Sequence, residues 1–304
     1  MSSPDAARPR LLLVGGAGGL AGRALLDPLV KGWTVRSVHR NAVPAEAAAG
    51  VEWVPGDAAE IDWEPVLRGI DVVVNLAWYR HGPERRFRRL TEGLVRLIRA
   101  SEHAGVGRFV QLSVPAAPPS LESGLPYLVG KRIVDRTLSE SRLSYAILRA
   151  SMLFGPRDKL LTVMLRTMRR YRRFPMFGDG EYHVSPIAAA DIARIVLREA
   201  RRSESGTFDA GGPTRWRYRD LTDRMFAALG QPARYVGMTP RGAMRLARVL
   251  ETFGSTLLYA YEVEWLLSDR LGVPPYVGLE TPLTPAPPFL EQEAARLKGQ
   301  PTAG

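Results

Sequence analysis

The chain has 304 residues, of which 45% are hydrophobic and 24% charged, and its mean hydropathy is -0.11; this is room for about two domains and excludes disordered and fibrous classes. No cysteine is present, which removes disulfide frameworks, zinc–thiolate sites, iron–sulfur clusters and a cysteine nucleophile, and fits a reducing, cytoplasmic setting. Forty-two basic residues against 31 acidic ones give a formal charge of +11, yet no helix-turn-helix, zinc-finger or RNA-recognition signature accompanies it, so the expected partner is an anionic ligand or surface and not nucleic acid.

From the N-terminus, Met1 to Arg10 carry no apolar stretch, so a chain without an export leader is expected. No run reaches the roughly eighteen apolar residues that span a bilayer; the stretch from Thr256 to Leu267 is broken by Glu262 and Glu264. Short apolar or β-branched runs predict strands at Arg10–Val14, Trp33–Val38, Val51–Val54, Asp71–Asn75, Arg108–Ser113 and Ser144–Leu148, alternating with helix-length periodic segments in the manner of a parallel sheet with crossover helices. In the first of these helices Pro28 removes a backbone donor, which predicts a short or kinked helix. Apolar spacing predicts further helices over Phe87–Ala104, with Gly105 as C-cap, and near Leu125–Ser141 and Ile187–Ala200.

Beyond residue 150 the pattern predicts an amphipathic, arginine-rich helix over Arg157–Arg173, a turn at Gly178–Gly180, a returning strand at Gly206–Ala210 and helices at Tyr218–Leu229, Arg241–Phe253 and Leu257–Asp269. A proline-rich tail from Gly272 to Pro288 reads as extended coil. The arginine-rich helix is either packed on the core with solvated arginines, or rests on anionic lipid, or closes over an anionic substrate; the partners this allows are a small-molecule substrate and a peripheral contact to an anionic membrane or a protein complex. The fold class is therefore α/β, a Rossmann doubly wound parallel sheet with a small, mostly helical C-terminal lobe. The sheet domain is expected over 1–155 with returning elements at 182–212, and the lobe over 156–181 and 213–304.

Directly after the first strand comes Val14-Gly15-Gly16-Ala17-Gly18-Gly19-Leu20-Ala21-Gly22, a glycine loop opening a helix. Such glycines permit a tight turn, close backbone approach to a pyrophosphate and tight helix–strand packing. The dinucleotide cradle is drawn from Gly16, Gly18, Gly19, Leu20 and Gly22, in a GxxGxxG or a GxGxxA register. The second strand ends in Val38-His39-Arg40, with no acid for ribose hydroxyls. Arg40, next to His39, suits a 2′-phosphate, so NADP(H) is expected in preference to NAD(H). Asp57, in Pro55-Gly56-Asp57, is placed to accept from an adenine amino group, and Ala77 follows the fourth strand on the cofactor side.

Tyr127 and Lys131 stand four apart in Tyr127-Leu128-Val129-Gly130-Lys131, one helical turn from each other. A neighbouring ammonium favours phenolate, which makes the tyrosine a usable proton donor and acceptor. Ser113, ending the fifth strand, is placed to donate to a substrate oxygen. The histidines at 39, 81, 103 and 183 have no ligand spacing, so no metal site is expected.

Together GGAGGLAG, PGDAAE, GIDVVVNLAW, GVGRFVQLSV, YLVGK, SYAILRASMLFGPRD, PIAAADIARIV and GTFDAGGP resemble the short-chain dehydrogenase/reductase superfamily in its extended or atypical branch, over most of the chain. The gap from Ser113 to Tyr127, the FGPRDKLL segment and Thr256–Leu271 look most like the group related to the NADPH-binding accessory subunit of respiratory complex I. The resemblance implies Ser113, Tyr127 and Lys131 as catalytic trio, with Lys131 also holding the nicotinamide ribose. It implies an NADP(H)-dependent oxidoreductase or epimerase/dehydratase acting on a small molecule. The alternative is a non-catalytic NADPH-binding scaffold docking on a partner complex or a membrane surface. A homodimer is compatible with either. Trp78, after Asn75-Leu76-Ala77, is a bulky residue that narrows the cofactor cleft or closes over the substrate.

Overall fold

A computed structural model of the chain describes residues 8–15, 18–40, 49–80, 82–252 and 260–300. The first half of the chain gives β1 (Arg10–Val14), α1 (Leu20–Gly32), β2 (Thr34–His39), β3 (Val51–Pro55), α2 (Trp63–Val66), β4 (Val72–Asn75), α3 (Glu84–His103), β5 (Arg108–Ser113), α4 (Pro119–Gly124), α5 (Pro126–Ser139) and β6 (Ser144–Ala150). There follow β7 (Leu153–Phe154), α6 (Leu160–Tyr171), β8 (Phe174–Phe177), β9 (His183–Val184), β10 (Ile187–Ala188), α7 (Ala189–Glu199) and β11 (Gly206–Ala210). The chain continues through β12 (Trp216–Arg217), α8 (Tyr218–Leu229), β13 (Tyr235–Met238), α9 (Pro240–Thr252), α10 (Ala260–Leu267) and α11 (Ala286–Lys298).

Seven strands form one sheet in the order β11-β6-β5-β4-β1-β2-β3. The pairings from β3 to β2, β1, β4, β5 and β6 are all parallel. Leu11, Leu12, Leu13 and Val14 of β1 and Val72, Val73 and Val74 of β4 are all buried, because helices on both faces of a parallel sheet bury its strands on both sides. The order reverses between β1 and β4, so the carboxyl ends of these two strands open the crevice in which doubly wound sheets bind their ligands. On α3, Leu90, Leu94, Leu97 and Ile98 are buried and join Leu12, Val73 and Phe109 in one core. Trp63 of α2 adds to this core and donates to the Gly93 carbonyl at 3.0 Å.

By internal packing the chain divides into two units, 1–114 with 122–149 and 192–208, and 115–121 with 150–191 and 209–304. The second has its own core, in which Leu161, Leu165 and Met168 of α6 meet Met225 and Phe226 of α8 and Leu290 of α11. On α6 the arginines at 166 and 170 are exposed, opposite this buried face. Among the described residues no helix is long and apolar enough to cross a membrane.

Three sequence expectations need correction. The first helix is not shortened: α1 runs thirteen residues through Pro28, since Leu25, Leu26 and Leu29 are buried and their packing outweighs one lost backbone bond. Residues 187–188 are a strand, and the helix begins only at Ala189. The proline-rich tail is extended only up to Pro285, where α11 starts with Pro287 and Pro288 in its first turn; prolines there cost nothing, because first-turn amides have no intrahelical acceptor.

Candidate active site

At the end of β1 the chain turns at Gly15, which has φ +76°, and a Cβ there would overlap the Cα of Ala77 beyond β4. Only glycine meets both demands, so the carboxyl ends of β1 and β4 touch backbone to backbone. Leu76 N–H donates to Val14 O at 2.9 Å across this junction. Gly16 lies outside the described residues. Gly18 sits beside His39, whose Nε2 would be 4.0 Å from a Cβ at that position, and Gly19 is the N-cap of α1. No side chain caps this helix, and its first turn, from Leu20, holds no acid. Its leading amides are thus offered to an external anion at the positive end of the helix dipole. Gly22 is buried one turn further on.

On the β2–β3 side, His39 is buried and meets Trp53 edge to face at 6.0 Å. Arg40 follows it with a side chain 44% exposed, its Nη1 3.9 Å from Asp57 Oδ2. Asp57 accepts from the Ala59 amide at 2.9 Å and from the Tyr79 hydroxyl at 3.2 Å. Both of its oxygens accept from the protein's own donors.

On the β4–β5 side, Asn75 donates to the Gln111 side chain at 2.7 Å and accepts from Ala77 N–H at 3.0 Å. This buried amide pair sets the course of the chain leaving β4, and so of Ala77 and Trp78. Tyr127 and Lys131 both lie on α5. Glycine at 130 is required because a Cβ would overlap Thr91 Oγ1 of α3 and come within 2.9 Å of the Trp78 ring. The indole stands edge-on to Tyr127 at 5.9 Å between centroids, and Phe87 meets Tyr127 at 6.0 Å.

Lys131 is 3% exposed. Its ammonium donates to Leu112 O at 2.7 Å and lies 4.5 Å from the Trp78 ring centroid. Burial pushes this lysine down to about 8, against the pull of Asp135 one turn on, because desolvation disfavours the charged form. Ser113 is buried, and its hydroxyl donates to Asp135 Oδ2 at 2.6 Å. Arg132 donates to the same oxygen at 2.8 Å and to Glu122 at 2.7 Å. Burial holds the Asp135 carboxyl above the usual carboxylate range, opposed by the Ser113 bond and by the charges of Lys131, Arg132 and Arg149.

Tyr127, Lys131 and Asp135 therefore form one stripe on α5, with Ser113 facing its last member. Sequence reading missed Asp135 and the cover that Trp78 places on Lys131. The spacing of Asp135, four residues after Lys131, was the available signal. Among the described residues no cluster of His, Asp or Glu could hold a metal ion.

A family model described as NAD(P)H-binding matches residues 16–202. The chain is 24% identical over 239 residues to the Arabidopsis thaliana mitochondrial NADH dehydrogenase [ubiquinone] 1 alpha subcomplex subunit 9, covering 73% of this chain and 58% of that one, so it spans little more than half that subunit's length. It is 25% identical over 307 residues to the 2-alkyl-3-oxoalkanoate reductase of Stenotrophomonas maltophilia, covering 88% and 91% of the two chains. Among solved structures, a nucleoside-diphosphate-sugar epimerase from Staphylococcus aureus superposes with a TM-score of 0.72 over 93% of this chain and 99% of the other, at 17% identity.

Proposed function

The chain belongs to the NAD(P)H-binding family, as an extended short-chain dehydrogenase/reductase, and from that premise we propose that it is an NADP(H)-dependent oxidoreductase or epimerase/dehydratase. The observation that carries the reading is a buried lysine, its ammonium held on the Leu112 carbonyl, one helical turn from Tyr127 on α5. When bound, the nicotinamide ring supplies the hydride chemistry at a substrate carbon. Gly18, Gly19 and the uncapped start of α1 would hold its pyrophosphate, Arg40 a 2′-phosphate and Lys131 the nicotinamide ribose. Tyr127 moves the proton at its phenolic oxygen, and the nearby Lys131 charge favours the phenolate. The Ser113 hydroxyl donates to Asp135, so its share is to hold the carboxylate behind Lys131, and a substrate oxygen would be reached only by turning that hydroxyl.

The reductase relative suggests 3-oxo acids as first substrates. NADPH oxidation with a panel of 2-alkyl-3-oxoalkanoates and simple ketones, in the wild type and Tyr127→Phe, tests the reading. Turnover in the wild type that falls at least about a hundredfold in the variant, with cofactor affinity retained, is the expected result. Equal turnover in both would end it.

A second reading, a non-catalytic NADPH-binding scaffold, is favoured by one feature: the Trp78 indole covers the Lys131 ammonium. Its mark would be tight cofactor binding with no turnover on any carbonyl, in wild type and Trp78→Ala alike. The complex I subunit among the relatives makes a protein complex the natural partner under this reading.

A further inference from the structure

Arg86 occupies the first turn of α3, where a cation faces the positive end of the helix dipole and gains nothing from the helix. Its guanidinium carbon lies 4.0 Å from the centroid of the Tyr79 ring, and that of Arg40 lies 5.1 Å from the same centroid. The ring is held from its far end, because the Tyr79 hydroxyl donates to both Asp57 oxygens at 3.2 Å and Asp57 is itself anchored on the Ala59 amide. Two guanidiniums from different elements, the end of β2 and the start of α3, are thus gathered on one aromatic platform. Asp57 is the ion-pair partner of Arg40 at 3.9 Å. Among the described residues no carboxylate pairs with Arg86.

This arrangement suits one ligand chemistry. An unmodified ribose is recognised by a carboxylate that accepts from its hydroxyls, and the carboxylate present here, Asp57, is committed to Tyr79 and Ala59. A phosphomonoester carries nearly two negative charges at neutral pH and several strong acceptor oxygens, and one guanidinium leaves part of that charge uncompensated. We propose that Arg86 joins Arg40 in clamping the 2′-phosphate of the bound dinucleotide, with Tyr79 as their common platform, which makes Arg86 a specificity-determining residue. The inference rests on the cofactor reading above and adds a residue to it.

The test is calorimetric titration of the full chain with 2′,5′-ADP and with 5′-ADP, which differ by the phosphate in question. The variants are Arg86→Leu, which keeps an apolar stem on Tyr79, and Arg86→Lys, which keeps the charge but loses the planar fork. The wild type should bind 2′,5′-ADP at least about tenfold more tightly than 5′-ADP, and Arg86→Leu should lose about tenfold on 2′,5′-ADP alone, as expected for one charge-assisted contact. Arg86→Lys should fall between. If the wild type prefers 2′,5′-ADP and Arg86→Leu keeps the full preference, the clamp is wrong and the NADP reading stands. Equal binding of the two ligands by the wild type would overturn both the clamp and the NADP preference, leaving a dinucleotide site without 2′ discrimination. Binding of neither would overturn the cofactor reading with them.

Discussion

The two ends of the crevice above β1 and β4 are built on opposite principles. At the β2 end, cations stand half-exposed with few acidic partners, and the first amides of α1 lack any side-chain cap. At the β5 end, the polar groups hold one another: Lys131 donates to a carbonyl beneath an indole, and Arg132 and the Ser113 hydroxyl both donate to one oxygen of Asp135. The first end has electrostatic attraction left over for a ligand, whereas the second must exchange contacts before it can touch one.

Substitutions should separate the two ends by their effect on stability. The largest loss is expected from Asp135→Ala, which takes the acceptor from the buried Ser113 hydroxyl and the opposing carboxylate from the buried Lys131, while Arg132 keeps Glu122. Breaking a buried pair by removing one partner costs about 3–5 kcal/mol, to be read from denaturant midpoints. A loss below about 1 kcal/mol would mean that the β5 end is not held by this carboxylate.

Next is the pH dependence set by Lys131. Its folded value, about 8, lies below the ordinary 10.5. Between those pH values the unfolded chain therefore binds more protons than the folded one, and stability rises with pH. The stability difference between wild type and Lys131→Met should change by about 3 kcal/mol in the wild type's favour from pH 8 to 10.5, the free energy equivalent of that shift. A flat difference would show the ammonium to be solvated.

Gly130→Ala should cost about 1–3 kcal/mol, as overpacking does, because the new methyl meets Thr91 and Trp78. Trp78 fluorescence should change with it. By contrast, Arg86→Leu at the β2 end should leave the midpoint within about 0.5 kcal/mol, as surface substitutions do, so that its effect on ligand affinity is read cleanly.

Much of the fold was legible because buried parallel strands are written as unbroken apolar runs. Arg10–Val14 and Arg108–Ser113 were predicted to the residue, and Tyr218–Leu229 likewise as a helix. The last helix was missed because Pro285, Pro287 and Pro288 read as coil, although prolines are at home in a first turn. In the site, the glycine loop and the Tyr127–Lys131 spacing were visible, since both are local. The partners of Ser113 and Asp57 were not, since a hydroxyl or carboxylate is assigned a ligand in a sequence only by analogy.

Neighbours within a turn or a strand account for the alternation of strands and helices, glycine at the end of β1, and a phenol and an ammonium on one helical face, and these were readable from the residues alone. Periodicity makes these distances follow from residue spacing. That Trp78 lies over Lys131, that Ser113 turns to Asp135, and that Arg86 shares a ring with Arg40 emerges only once the chain is folded. Each of these brings together groups from separate elements, whose proximity is set by strand order and by the packing of α3 and α5 on the sheet.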